Sequence, residues 1–132
     1  MSEPIVFIST HRIKEGKPDE FRERYREGAS AIQSQKPDTV AFLAYLNEDE
    51  TEVTTIHVFP DTEAMERHVE GAVDRATGAA EFLEFREFEI YGSPGDQVLE
   101  SMRRVAGPGD TLDVLPEFVS GYLRLGSTRT PA

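Results

Sequence analysis

Residues 52–76 read EVTTIHVFPDTEAMERHVEGAVDRA, and two periods meet in them. Up to Phe59 the residues are mostly β-branched or aromatic and sort onto two alternating sets, as on a strand. After Pro60 the period changes. Asp61 or Thr62 offers an N-cap, and Met65, Val69, Ala72, Val73 and Ala76 form an apolar helical stripe. A strand that runs into one amphipathic helix over 62–76 is expected, with His68 at the edge of the stripe, three residues after Met65 and four before Ala72.

Upstream, TVAFLAYLN (Thr39–Asn47) is a second run of β-formers, joined to the first by the acidic tract EDETE, so the two form a hairpin with a solvated turn. Before it lie a strand at IVFISTHRI (Ile5–Ile13) and a helix from about Pro18 to Gln35. In that helix Phe21, Tyr25, Ala29 and Ile32 share one face, Gly28 weakens the run and Pro37 ends it. Downstream, FREFEIYG (Phe85–Gly92) alternates again. The order strand, helix, strand, strand, helix, strand predicts an α+β domain of ferredoxin-like βαββαβ type, an antiparallel sheet with both helices on one face. A C-terminal helix–strand extension comes next, with a helix in SPGDQVLESMRRV (Ser93–Val105) and a fifth strand in FVSGYLRL (Phe118–Leu125). The chain is expected to be one domain, with its core at 4–92, the extension at 93–125 and a frayed tail at 126–132.

Strand alternation separates Ile56 and Val58 from Val53, Thr55, His57 and Phe59, and Phe88 and Ile90 from Glu87, Glu89 and Tyr91. Purely aliphatic sets are expected under the helices, which leaves the mixed sets on the helix-free face. Such a face is too apolar for water, and a homodimer that buries it is the expected solution, clasped by the C-terminal strand at the partner's sheet edge.

Composition narrows the functional classes. The chain has 25 acids against 14 bases, a formal net charge of −11, and lysine only at Lys14, Lys17 and Lys36. Scattered bases in so negative a field argue against nucleic acid. The absence of cysteine removes disulfides, thiolate metal sites and thiol nucleophiles, and makes a reducing cytoplasm the simplest home. No apolar run approaches the about 20 residues of a membrane helix, and the N-terminus lacks the pattern of a signal peptide. No Gly-x-Ser-x-Gly elbow points to a hydrolase, and GSPGD (Gly92–Asp96) lacks the lysine and spacing of a phosphate loop.

The segments IVFISTHRIKEGKPDEFRERY (Ile5–Tyr25) and IHVFPDTEAMERHVEGA (Ile56–Ala72) resemble the two signatures of the antibiotic biosynthesis monooxygenase (ABM) family. The resemblance covers about Pro4 to Gly92. It implies a dimeric α+β barrel with a small pocket between sheet and helices in each subunit. It also implies, for some members, cofactor-free oxidation of polycyclic hydroquinones by oxygen. Haem-degrading members use an asparagine on the first strand, a tryptophan on the second helix and a later histidine. Here there is no tryptophan, Ser9 stands near the first place, and Gly78 and Ala79 stand near the last, so haem degradation is not expected.

On this resemblance the expected catalytic residues are His68, as base or hydrogen-bond partner of a phenolic substrate, and Arg86, as stabiliser of an anionic oxygen. Ser9, Phe7, Phe59 and Met65 are expected to line the pocket for a small aromatic ligand, without cofactor or metal. For each there is a plainer possibility. His68 is then a boundary histidine, Arg86 a residue at the sheet end, and Phe7, Phe42, Phe59, Met65 and Phe88 fill the space in a non-catalytic dimeric module. His11 and His57, which with Glu87 or Glu89 have the right chemistry for a metal, are expected in cross-strand pairing or dimer contact. Phe82, Phe85 and Phe88 are expected in the core.

Overall fold

A computed structural model describes residues 3–107 and 109–124. Nine elements stand in order: β1 (Ile5–Ile13), α1 (Pro18–Gln35), β2 (Ala41–Leu46), β3 (Glu52–Phe59), α2 (Thr62–Val69), α3 (Ala72–Ala79), β4 (Leu83–Tyr91), α4 (Asp96–Val105) and β5 (Thr111–Leu115). The strands form one open sheet in the order β2-β3-β1-β4-β5. All neighbours are antiparallel except β4 and β5, which α4 joins as a parallel pair. This is the ferredoxin-like α+β arrangement, in one chain an open sheet and not a closed barrel. No helix among the described residues is long and apolar enough to cross a membrane.

Local chemistry explains the joints. Pro18 opens α1, and the Asp61 carboxylate accepts the Ala64 N–H at 2.8 Å to cap α2. In the hairpin turn the Asn47 side-chain Oδ1 accepts the backbone N–H groups of Thr51 and Glu52. The helix expected over 62–76 is two helices. Glu70 leaves the α-region and Gly71 adopts φ 80°, so the chain turns before α3 starts. The last carbonyls of α2 are taken by side chains in place of helical amides. Lys36 donates to Arg67, and Arg75 donates to His68 and Glu70.

The fifth strand is TLDVL, not FVSGYLRL. Once α4 has carried the chain back, Thr111–Leu115 is the first run that reaches the β4 edge, and it pairs Phe88 with Leu112 and Ile90 with Val114. Phe118–Arg124 joins no strand, and Val119 is 86% exposed. The expectation for 126–132 lies outside the described residues.

The faces of β3 are the reverse of those expected. Val53, Thr55, His57 and Phe59 are buried under the helices, while Ile56 and Val58 are half-buried on the helix-free face with Val6 and Ile8, beside the exposed Leu43. The polar members of the buried set have partners there. Tyr25 and Thr55 share a hydroxyl–hydroxyl bond of 2.5 Å, and the His57 ring donates to the Phe7 carbonyl. On β4 Phe88 and Ile90 lie under the helices as expected. A bulge opposite Thr10/His11 shifts the β1–β4 register by one residue: His11 pairs with Phe85 and Thr10 with Glu87, so Arg86 is the extra residue.

The helix-covered layer holds two apolar clusters. Ile5, Phe59, Met65, Ile90, Val98 and Met102 pack at one end, and Ile13, Phe21, Val53, Phe82 and Leu83 at the other. A cavity separates them.

Candidate functional site

The cavity has a volume of about 320 Å³ and lies between the sheet and helices α1 and α3. That is the lower end of the about 300–1,000 Å³ usual for small-molecule pockets. It stays open because the helices present small residues to it, Gly28 and Ala29 from α1 and Ala72, Ala76, Gly78 and Ala79 from α3. A Cβ added at Gly28 or Gly78 would meet nothing within 4 Å. The sheet contributes the aromatic floor of Phe7, Phe42, Phe85 and Phe88.

All three histidines of the chain line this space and are buried. His57, on β3, lies opposite Phe7 on β1 in the strand register, and the two rings stack with centroids 4.6 Å apart. His68, from α2, meets His57 edge-on at 5.2 Å. His11 stands edge-on to Phe85 at 4.7 Å and Phe88 at 5.0 Å.

Their hydrogen bonds assign two of the tautomers. A backbone carbonyl only accepts, so the His57 Nδ1, 3.0 Å from the Phe7 oxygen, carries the proton and Nε2 is an acceptor. A backbone amide only donates, so the His11 Nδ1, 3.2 Å from the Arg86 nitrogen, is bare and neutral His11 carries its proton on Nε2. The bulge that displaces Arg86 thus provides the amide that sets His11. The His68 Nδ1 is 2.8 Å from the Thr39 hydroxyl, which fits either tautomer. No buried side-chain nitrogen or oxygen among the described residues lacks a partner. Among the described residues the three Nε2 atoms have no side-chain partner, and all three rings line the cavity.

Burial also keeps these rings neutral. It lowers the pKa of His11 and His57 to about 4. His68 falls to about 3, chiefly by burial and further by the nearby His57, Arg75 and Lys36. At neutral pH the wall offers a hydrogen-bond acceptor at His57 and a donor at His11 without charge.

The profile of the family "Antibiotic biosynthesis monooxygenase" matches residues 4–87. The chain belongs to this family. Among solved structures, MupZ from Pseudomonas fluorescens superposes with a TM-score of 0.64 at 16% identity, over 92% of this chain and 91% of that one. SnoaB from Streptomyces nogalater, a cofactor-independent oxygenase, superposes with a TM-score of 0.58 at 18% identity, over 72% of this chain and 97% of that one. PA3566 from Pseudomonas aeruginosa gives 0.52 at 22% identity, over 68% and 91%. These likenesses concern the fold. No curated protein sequence matches significantly.

In this ABM-family chain His68, Ser9 and Phe7 meet at the cavity. Phe59 and Met65 do not line it. Both are fully buried in the adjoining cluster, with the Phe59 ring 5.1 Å behind His68. Arg86 does not reach it either: its exposed guanidinium donates to Glu84 at 2.9 Å, because the bulge carries it off the Phe88 face. Phe85 and Phe88 are wall as well as core. His11 and His57 lie on the helix-covered face, where His57 pairs across the strands with Phe7, while Glu87 and Glu89 lie on the opposite face of the sheet, so these four side chains do not come together.

Arg75 is not named by the sequence reading, and His11 and His57 are not placed by it at the pocket, though each had a signal. His11 shares strand parity with Phe7 and Ser9, so a pocket at those two implies it. His57 needed the β1–β3 register. Arg75 stands seven residues after His68, two turns along the same face.

Proposed function

We propose that this protein is a cofactor-independent oxygenase for an electron-rich, hydroquinone-like aromatic substrate, acting as a cytoplasmic homodimer. The support comes from the ring of three neutral imidazoles, each with an Nε2 that has no side-chain partner among the described residues, around an aromatic-walled cavity. In this reading the substrate ring lies against Phe7, Phe85 and Phe88, with its hydroxyl hydrogen-bonded to the His57 Nε2 and a neighbouring oxygen to the His11 Nε2–H. His68 and Ser9 complete the polar rim.

The chemistry belongs to the substrate. In the enol form of the CH₂–aryl ketone, one electron passes to oxygen as the enol hydroxyl proton passes to His57. The two radicals combine in a C–O bond at the former CH₂ carbon, the peroxide anion takes the proton back from His57, and loss of water from the hydroperoxide leaves a quinone carbonyl, so that CH₂ and O₂ become C=O and H₂O. A base of low pKa suffices because a phenol that has lost an electron is far more acidic. The enclosed site supplies position and excludes water.

The dimer is supported by the helix-free face, where Val6, Ile8, Leu43, Ile56 and Val58 form an apolar patch, and by Phe118–Arg124, which has no strand partner in its own sheet.

The test is oxygen consumption above the spontaneous rate with a tricyclic hydroxyanthrone, which carries the reacting CH₂. His57→Asn should lower the enzymatic rate by about 10²-fold or more. No excess consumption by the wild type refutes the oxygenase. If the compound nevertheless binds, a binding protein without oxygen chemistry remains.

A further inference from the structure

The chain carries 25 acids against 14 bases, yet no aspartate or glutamate is found among the described residues that line the cavity. The two charged residues of the wall are both arginines, Arg24 from α1 and Arg75 from α3, and both are exposed at the mouth. Arg24 is engaged: the Glu81 carboxylate lies 3.7 Å away, and the guanidinium stands 5.9 Å over the Phe82 ring. Arg75 has no carboxylate within ion-pair distance among the described residues. It is held instead by neutral carbonyls, 2.9 Å to Glu70 and 2.5 Å to His68 at the end of α2. Those two bonds fix its position and leave other guanidinium N–H groups for a ligand.

We infer that the cavity is a site for an aromatic organic anion, with the charged oxygen held by Arg75 at the mouth between α1 and α3 and the ring on the floor of Phe7, Phe42, Phe85 and Phe88.

A body of net charge −11 repels an anion at long range, so a site for one needs a local cation and a wall without carboxylates. The imidazoles remain neutral and leave Arg75 as the available counter-charge. The inference rests on the reading of the cavity as a ligand site and is independent of the oxygen chemistry. A carboxylate and a phenolate present the same chemistry to Arg75.

The test is calorimetric titration of the full chain at pH 7 and fixed ionic strength with three probes: 2-naphthoate, 2,4-dinitro-1-naphtholate, which is ionised at that pH, and neutral 2-naphthamide. At least one anion should bind about tenfold tighter than the amide, as a charge-assisted hydrogen bond gives, and the anion that does so identifies the source. Arg75→Gln should bring that anion to the amide's affinity and leave the amide within about twofold, and Arg75→Lys should keep part of the preference. An amide that binds as tightly as both anions overturns the inference, and so does a preference that survives Arg75→Gln. Equal weakening of all three ligands in Arg75→Gln also overturns it, by making Arg75 a structural tie of α2 to α3. No binding of any probe does so too. Oxygen consumption reports separately: an anion preference without oxygen uptake leaves this site standing and removes the oxygenase, and uptake without the preference does the reverse.

Discussion

Acidification should unfold this protein through its three cavity histidines. Each has its pKa lowered, to about 4 for His11 and His57 and about 3 for His68, from 6.5 in the unfolded chain. Between about pH 6.5 and 4 the unfolded state therefore binds more protons than the folded one, so stability is present above this window and falls as pH falls through it. For one such group, integrating the proton difference from pH 7 to pH 5 gives a loss of about 2 kcal/mol, and three together give about 6 kcal/mol. That is a large part of the about 5–15 kcal/mol typical of a domain. The carboxylates also titrate and relieve the self-repulsion of the −11 charge, so a single curve does not isolate the histidines. His57→Asn does. The amide nitrogen of asparagine can replace Nδ1 as donor to the Phe7 carbonyl, but it does not titrate. Urea unfolding at pH 7, 6 and 5, at one protein concentration and ionic strength, should show the pH 7-to-5 loss smaller in His57→Asn by about 2 kcal/mol. An unchanged loss refutes the argument, because it means that His57 protonates in the folded state as readily as in water.

Single contacts give further expected outcomes. Asp61→Ala removes the cap of α2 and should cost about 1 kcal/mol in urea unfolding. Gly92 has φ 121°, and an added Cβ would stand 2.9 Å from Ile5 Cγ1, so Gly92→Ala should cost about 1–3 kcal/mol and lower the melting temperature. Arg86→Ala leaves the backbone amide that holds His11 and deletes only an exposed ion pair, so stability should change by about 0.5 kcal/mol or less and probe affinity should not change. Leu43→Glu places a charge in the apolar patch of the helix-free face. Sedimentation should show the variant as a monomer and the wild type as a dimer, and a monomeric wild type refutes the homodimer.

The order of elements and most of their ends were legible in the sequence, because they are set by neighbours in the chain. Pro18 at the start of α1, the Asp61 cap and the strand of Glu52–Phe59 stand where period and capping place them. The break at Gly71 had its glycine in view, but the helical stripe of Val69, Ala72 and Ala76 runs across it, and Arg75 stabilises the break through space. β5 was misplaced for a related reason. TLDVL is short and FVSGYLRL has more β-formers, and only the position of the β4 edge after α4 chooses between them.

The amino-acid order alone settles the α+β framework, which depends on local period, caps and turns that survive any register, and the family is legible from the likeness of residues 5–25 and 56–72 to its two signatures. The site needed the folded chain. Which face of β3 lies under the helices, the one-residue bulge that removes Arg86 from the cavity and leaves its amide to His11, and the meeting of His11, His57 and His68 all depend on how strands pair across dozens of residues. Alternation sorts side chains into two sets but carries no label for inside or outside. A rule that puts the aliphatic set inward fails where the covered layer encloses an aromatic cavity with histidines in its wall and not a purely aliphatic core.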